Sequence, residues 1–144
     1  MKMQSVLAFA FTCSVLFLPA CKEKPDQECL IGDWDVTYAV DGGGDSLIGE
    51  DGGYIREIMI SFTENKVTWV ETDLDMSTGM KTVEPSYGSY LWDNETIIMT
   101  IVEDGDTLRR SSTVSITDCD ELYLRIKDVN DPNQPYIDIK AQRK

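Results

Sequence analysis

Histidine is absent from this 144-residue sequence, and with it the side chain that most often moves protons near neutral pH. A proton shuttle would instead need a carboxyl or lysine group with a shifted pKa. No serine lies in a recognisable nucleophile motif. We therefore predict a protein that is not an enzyme and that requires no cofactor.

Basic residues are scarce, since 13 Lys and Arg face 26 Asp and Glu, giving a formal net charge of −13. Such a balance repels phosphate groups, so binding to nucleic acid is not expected. The same net charge opposes close approach of the whole molecule to an anionic membrane surface. Composition thus argues against nucleic acids as partners.

Long hydrophobic runs are also lacking, and the longest, Val6 to Leu18, is too short to span a bilayer comfortably. Preceded by Lys2, it has the length of the apolar part of a signal peptide. It ends in Leu18-Pro19-Ala20-Cys21, which resembles the lipobox of bacterial lipoprotein signal peptides. The resemblance implies cleavage before Cys21 and acylation of Cys21 with palmitate-type chains. This lipid would attach the protein to a membrane of the bacterial cell envelope, expected to be the outer membrane at its periplasmic or surface face.

The domain organisation follows from that motif. Residues 1–20 are the predicted signal peptide, and residues 21–28 are the lipidated Cys with a polar, flexible tether. Residues 29–144 have the length of a single domain. Removal of Lys2 with the signal leaves 12 basic residues and a formal charge of −14.

The four cysteines divide into two groups. Cys13 leaves with the signal and Cys21 takes the lipid, so Cys29 and Cys119 remain as an even pair in an oxidising compartment. We predict a disulfide between them. The alternative is two separate buried thiols.

The rest of the chain alternates apolar and polar residues with period two, and no segment shows a convincing helical period. Eight strands are predicted, at about 31–40, 54–62, 66–73, 82–92, 96–103, 107–117, 121–127 and 136–142. Eight short antiparallel strands in series suit an up-and-down barrel or a sandwich. The connections at 41–53, 74–81 and 128–135 are long and share one end with the tight 104–105 turn. The connections at 62–65, 93–95 and 118–120 are short and share the other end, together with Cys29 and Cys119.

Turn positions also predict how strands pair. The turn at Asp104-Gly105 and the turn at 118–120 each place apolar residues opposite one another on one face. The predicted pairs are Ile101 with Leu108, Met99 with Arg110, Val114 with Leu124, Ile116 with Leu122, and, across a four-residue turn at 62–65, Ile60 with Val67, Ile58 with Trp69 and Arg56 with Glu71.

The opening of the first strand, Leu30-Ile31-Gly32-Asp33-Trp34, resembles the G-x-W motif of the lipocalins and of bacterial lipocalin-like lipoprotein domains. The late segment Asp120-Glu121-Leu122-Tyr123-Leu124 resembles a strand of the same domains. This resemblance implies an all-β, up-and-down antiparallel meander of about eight strands that closes into a lipocalin-like barrel. It also implies that Gly32 and Trp34 form the barrel floor beneath an arginine, either Arg143 or Arg125.

Strand parity predicts which side chains face the barrel interior. The candidate ligand-binding residues are Tyr38, Arg56, Trp69, Glu71, Tyr87, Met99 and Arg110, of which Arg56, Glu71 and Arg110 are expected near the open end. Arg56 and Glu71 are expected to form a cross-strand ion pair, which leaves Arg110 to meet a ligand carboxylate or a tyrosine hydroxyl. The alternative is that local bulges turn these charges outward.

The acidic, glycine-rich loop after the first strand suggests a second kind of site. Oxygen ligands from Asp41, Asp45, Glu50 and Asp51 would suit calcium. The spacing is not that of an EF-hand, and the tight end is equally acidic. A solvated acidic surface is therefore the preferred interpretation, and no metal site is predicted.

The sequence predicts a monomeric, lipid-anchored protein that binds a small, partly apolar molecule in the barrel interior. The alternative is an accessory or inhibitor lipoprotein that binds another protein through the long loops. The residues do not identify the ligand or the partner.

Overall fold

The computed structural model describes residues 27–144, apart from residues 94, 95, 104, 130 and 132. Within them lie one short helix and nine strands. They are α1 (Gln27–Leu30), β1 (Gly32–Asp41), β2 (Gly49–Asp51), β3 (Tyr54–Phe62), β4 (Lys66–Asp75), β5 (Lys81–Asp93), β6 (Thr96–Glu103), β7 (Asp106–Thr117), β8 (Glu121–Asp128) and β9 (Ile137–Arg143). No helix in this part of the chain is both long and apolar enough to cross a membrane.

The strands form a closed antiparallel barrel. Their order is β1-β9-β8-β7-β6-β5-β4-β3, and β1 also pairs with β3, which closes the ring of eight. Strand β2 is not part of this ring. It pairs with β3 at the open end, and the sequence did not predict it. The all-β fold class, an up-and-down meander closing into a barrel, is confirmed.

The predicted pairings on either side of β7 are confirmed. Ile101 lies opposite Leu108, and Met99 lies opposite Arg110, across the turn at Gly105. Ile116 pairs with Leu122 and Val114 with Leu124 across the next turn. Apolar residues directly opposite one another on the inner face specify the register, because a one-residue slip would move them all outside.

The predicted pairing of β3 with β4 is wrong by two residues. Ile60 rather than Ile58 lies opposite Trp69, and Arg56 lies opposite Asp73 rather than Glu71. The reason is a shorter turn, since the Thr63 amide donates to the Lys66 carbonyl at 2.9 Å. The shorter turn extends the ladder to Phe62, whose side chain is buried. A two-residue shift keeps each side chain on its face, so the inward set is unchanged.

The seam between β1 and β3 is short. Only Gly32–Asp35 pair with Met59–Phe62, toward the floor. Nearer the open end the two strands separate, and the segment leading into β2 lies between them. Leu47 donates its amide to the Ala39 carbonyl at 2.9 Å, and Val40 bridges to Ser46.

Helix α1 closes the tight end of the barrel. The Gln27 side chain donates to the Glu64 carbonyl in the β3–β4 turn, and Cys29 is bonded to Cys119 in the β7–β8 turn on the opposite side of the ring. Leu30 is fully buried beneath the strands. The sequence assigned Gln27 and Glu28 to the tether, so this helix is a feature that periodicity did not reveal, because four residues are too few to show a helical repeat.

One core fills the lower barrel. It combines residues from the floor and from the inward faces of the strands. The buried apolar residues are Leu30, Trp34, Ala39, Ile58, Ile60, Phe62, Val67, Tyr90, Ile97, Met99, Val114, Leu122, Leu124, Ile126, Ile139 and Ala141. These buried side chains pack together as the floor and lower wall of the barrel.

Candidate functional site

A cavity of about 170 Å³ lies on the inner faces of β4 to β9. Six of its lining residues are apolar and three are polar. They are Trp69, Met99, Ile101, Leu108, Ile126 and Ile137, with Glu71, Ser86 and Arg110. Four of the seven predicted ligand-binding residues, Trp69, Glu71, Met99 and Arg110, therefore meet around one space.

The apolar wall of this cavity is continuous with the core. Met99 is buried, opposite Tyr90 on one side and Arg110 on the other. Beside it, Ile101 lies opposite Gly88 of β5. A Cβ atom on Gly88 would lie 2.3 Å from the Thr100 carbonyl oxygen, so glycine is required for the close approach of these strands.

The polar side of the cavity is organised around Glu71. The Trp69 Nε1 donates to Glu71 Oε1 at 2.9 Å, which orients the carboxylate. Arg56 Nη1 lies 3.6 Å from Glu71 Oε2, whereas two hydrogen bonds of 2.8 Å join Arg56 to Asp73. The predicted Arg56–Glu71 pair therefore exists as the longer of two contacts. Hydrogen bonds from Arg56 also hold the pKa of Asp73 below its ordinary value.

Arg110 has partners that the sequence did not reveal. Its Nη1 lies 3.2 Å from Asp128 Oδ2 and donates to Gln134 Oε1 at 3.2 Å. Asp128 is the cross-strand neighbour of Arg110 on β8. The expectation that Arg110 is left unpaired for a ligand carboxylate or a tyrosine hydroxyl is therefore wrong.

The expectation that Tyr38 and Tyr87 face the interior is also wrong. A bulge between Val36 and Tyr38 shifts the register of β1 against β9, so that Ala39 is buried and Tyr38 is 43% exposed. On β5, Tyr90 faces the interior and is buried. Tyr87 has the opposite parity, so it lies on the outer wall, where it is 61% exposed. Both strands carry apolar residues at odd and even positions, so alternation alone could not choose between the faces.

Trp34 is fully buried at the floor, with its Nε1 donating to the Leu30 carbonyl at 2.8 Å. The Arg143 guanidinium lies 4.7 Å from the centroid of the indole ring and donates to the carbonyls of Ile31, at 3.0 Å, and of Cys29 and Cys119. Arg143 rather than Arg125 thus covers the tryptophan.

The space above Gly32 and the partners of Arg125 explain this arrangement. A Cβ atom on Gly32, whose φ is +142°, would lie 2.7 Å from Arg143 Nη1, so glycine leaves space for the guanidinium. Arg125 is instead occupied on the outer wall, where it binds Asp138 at 2.7 Å and stacks on Tyr136.

The disulfide prediction is confirmed, since Cys29 and Cys119 are bonded with their Cα atoms 4.8 Å apart. Asp118 and Cys119 both have positive φ, which forms the tight turn that presents the sulfur to α1. The signal peptide and Cys21, the predicted lipidation site, lie outside the described residues.

The acidic loop does not gather its carboxylates. Asp41 Oδ1 accepts hydrogen bonds from the amides of Gly43 and Asp45 within its own turn, and Glu50 and Asp51 lie on β2. Within the described residues, no group of three or more acidic, cysteine or histidine side chains could hold a metal ion.

Larger depressions, of about 350, 430 and 480 Å³, lie outside the interior cavity. The first lies across β7 to β9 and the third beside the β1–β3 seam, both with mixed polar and apolar linings, and the second lies beside the β2 loop at the rim. The interior cavity is therefore not the candidate ligand site because of its size. It is the candidate because apolar walls with a few oriented polar groups are the usual composition of a small-molecule site.

No protein-family model matches this chain, and no curated protein matches it either. Solved structures with a similar fold include a de novo designed fluorescence-activating beta barrel, 13% identical with a TM-score of 0.47, covering 81% of this chain and 95% of that one. Another is a redesigned beta barrel, mFAP1, bound to DFHBI, 10% identical with a TM-score of 0.46, covering 81% and 96%. At these identities the likeness concerns the fold alone.

Proposed function

We propose that this protein is a lipid-anchored, lipocalin-like protein of the bacterial cell envelope that holds a small, partly apolar molecule inside its barrel. The supporting observation is the cavity in which Trp69, Met99 and Ile101 face Glu71, Ser86 and Arg110. Each of these side chains is supplied by a strand of the rigid barrel, so the site is largely preformed.

The cavity restricts the size of the ligand. Its volume of about 170 Å³ is close to that of an engineered apolar cavity of about 150 Å³ that binds benzene. Sites for drug-sized molecules are larger, from about 300 Å³ upward. The ligand is therefore of the size of one aromatic ring or a short branched chain.

The polar groups restrict its chemistry. Glu71 is a hydrogen-bond acceptor, and the Trp69 indole fixes its orientation. Arg110 is already bound to Asp128 and Gln134, so it offers little to a ligand anion. The best ligand has an apolar body and a neutral or cationic hydrogen-bond donor, such as a hydroxyl or amino group.

The lipid anchor rests on the lipobox-like motif at Leu18-Pro19-Ala20-Cys21. The described chain enters at the barrel floor through Gln27, and residues 21–26 reach at most about 20 Å when extended. The anchor would therefore hold the floor near the membrane. The Cys29–Cys119 disulfide is compatible with an oxidising compartment outside the cytoplasm.

Ligand binding is tested with phenol and benzoate as probes by isothermal titration calorimetry. We expect phenol to bind at least tenfold more tightly than benzoate, because Glu71 accepts a hydrogen bond from the phenol hydroxyl and repels the benzoate anion. Ser86→Leu, which fills the cavity, should abolish phenol binding, whereas Ser89→Leu, on the outer side of the same strand, should not. Equal binding to both serine variants would contradict an interior site, and native mass spectrometry of protein from its host would show whether a small molecule co-purifies.

Lipid attachment is tested separately by Cys21→Ser. We expect the native chain to stay with membranes after a wash at about 1 M salt, which screens surface charge contacts, and to carry an acylated N-terminal Cys21, and the variant to lose both properties. A Cys13→Ser variant, changed within the predicted signal peptide, serves as the control for general effects of losing a cysteine. An unacylated mature chain would overturn the anchor without affecting the cavity.

A further inference from the structure

An apolar patch lies on the outer wall of the barrel, on the side of β5 and β6. It consists of Tyr87, Leu91, Ile98 and Val102, in which Tyr87 pairs with Val102 and Leu91 with Ile98. Leu91 is 69% exposed, Tyr87 61% and Val102 53%. Four neighbouring apolar side chains on a solvated sheet face are unusual in a chain this rich in charge, and we call them the β5–β6 patch.

Basic residues flank this patch on both sides. Across the central row of the wall, Lys66 lies opposite Ser89, Ser89 opposite Thr100, and Thr100 opposite Arg109. This row of side chains therefore has Lys66 of β4 at one end and Arg109 of β7 at the other. In the adjoining row, Leu91 lies opposite Ile98 and Ile98 opposite Ser111. Ser111 in turn lies opposite Lys127 of β8. All three basic side chains are exposed.

Acidic residues are nearly absent from the same wall. On the outward faces of β4, β5 and β6, every residue of which the structure describes, Asp93 is the only acid, and it lies at the floor. The whole chain has a net charge of −13, so this wall differs in sign from the rest of the molecule. The apolar centre and basic border together are the chemistry that anionic lipid headgroups recognise.

The basic residues around the patch are close enough together to attract an anionic surface in spite of the negative net charge of the chain. Four strands spaced about 4.8 Å apart place Lys66 and Arg109 roughly 14 Å from each other. At about 0.1 M salt the Debye length is about 10 Å, so a surface touching the middle of this wall feels its basic border more than the carboxylates that lie beyond that distance at the two ends of the barrel. The net charge alone would have predicted repulsion.

The position of the patch agrees with a nearby membrane. Leu91 and Ile98 lie close to the β5–β6 turn, which belongs to the floor end where Gln27 enters. A short stretch of chain, residues 21–26, separates Gln27 from Cys21. A lipid there would keep even a weakly binding wall at high effective concentration beside the bilayer.

We propose that the β5–β6 patch binds the surface of an anionic bilayer and lays one side of the barrel along it. The inference extends the proposed lipid anchor but does not need it, because the patch is formed by the barrel itself. A second copy of this chain fits less well, since two facing patches would bring Lys66, Arg109 and Lys127 against their own counterparts. In this orientation the cavity opens along the membrane rather than away from it.

The test uses the lipid-free chain beginning at Lys22, because residues 27–144 contain the closed barrel, its core and its disulfide. It is sedimented with phosphatidylcholine vesicles, with and without about one-third phosphatidylglycerol. Binding to the anionic vesicles should be strongest near 0.1 M salt and weaker both at about 0.01 M, where a Debye length of about 30 Å includes the acidic loops, and at about 1 M.

Variants locate the effect. Lys66→Glu with Arg109→Glu, and separately Leu91→Ser, should each lower the vesicle partition coefficient at least tenfold. Lys140→Glu on β9 and Met80→Ser at the open end are the controls and should change it less than twofold. Absence of binding to anionic vesicles, equal losses in patch and control variants, or a Leu91-dependent dimer in analytical ultracentrifugation would each overturn the proposal.

Discussion

Arg143 connects parts of the chain that are far apart in sequence. Its guanidinium donates to the carbonyls of Cys29, Ile31 and Cys119 while covering the ring of Trp34. These carbonyls belong to the end of α1, to the residue that follows it and to the β7–β8 turn, where strand neighbours cannot satisfy them. A planar fork with several donors suits this task, and a lysine ammonium does not reproduce it.

We expect Arg143→Ala to lower the free energy of unfolding by about 3 kcal/mol, because it leaves carbonyls unpaired and removes the cation above Trp34. Arg143→Lys should recover less than half of this loss. Urea unfolding followed by tryptophan fluorescence measures both variants. Arg125→Ala is the matched control, and a loss as large as that of Arg143→Ala would contradict the assignment.

Single residues were also where prediction from sequence reached its limit. Trp34 and Gly32 could be placed at the floor from a short motif, but Arg143 and Arg125 could be separated only by the fold. Tyr38 could not be oriented because a bulge is encoded by pairing with β9, not by its own strand. Residues that complete the site on β5, such as Ser86, carried no signal in the sequence, since a small polar residue suits either face.

At the level of elements, α1 and the β7–β8 turn act as one unit. The disulfide joins Cys29 to Cys119, and the Arg143 amide donates to the Asp120 carbonyl of the same turn at 2.9 Å. The bonded cysteines are 90 residues apart, so the bond closes a loop that contains most of the barrel. A link over so long a loop restricts the unfolded chain strongly.

Replacing both cysteines, as Cys29→Ala with Cys119→Ala, should lower the free energy of unfolding by roughly 4 kcal/mol. The barrel itself should persist, because Leu30 and Trp34 still pack beneath the strands. Chemical denaturation with far-ultraviolet circular dichroism checks the stability and the strand content together. An unchanged midpoint would show that the bond adds no stability, and the wild-type chain under reducing conditions is the control.

Elements were predicted from sequence better than their registers. Alternation and turn residues were sufficient for eight strands, for the separation of long and short connections, and for the two hairpins that flank β7. The β3–β4 hairpin failed because a turn of Glu64 and Asn65 lacks the glycine that marks a tight turn. α1 and β2 were missed because each is too short to show a period.

For the whole molecule, the absence of histidine has a direct consequence for stability against pH. No side chain has an ordinary pKa between about 5 and 8. Hydrogen bonds from Arg56 lower the pKa of Asp73, and those from Arg125 lower the pKa of Asp138. The stabilising contribution of each carboxylate is present above its unfolded pKa, about 3.9, and is lost as the pH falls through its lower folded pKa.

We therefore expect the free energy of unfolding to be nearly constant from about pH 5 to 8 and to fall below about pH 4. The double variant Asp73→Asn with Asp138→Asn should show a shallower decline on the acid side, because it has already lost both contributions. Urea midpoints measured across this pH range test the expectation, with Asp106→Asn as the control. A steep transition near pH 6 would contradict it.

The barrel is closed between β1 and β3 by four residue pairs, whereas its other neighbouring strands are joined by six or more. The β1–β3 seam therefore has the fewest ladder hydrogen bonds in the ring, and local opening of the barrel is expected to begin there. Such opening separates only these four pairs while the longer ladders stay intact.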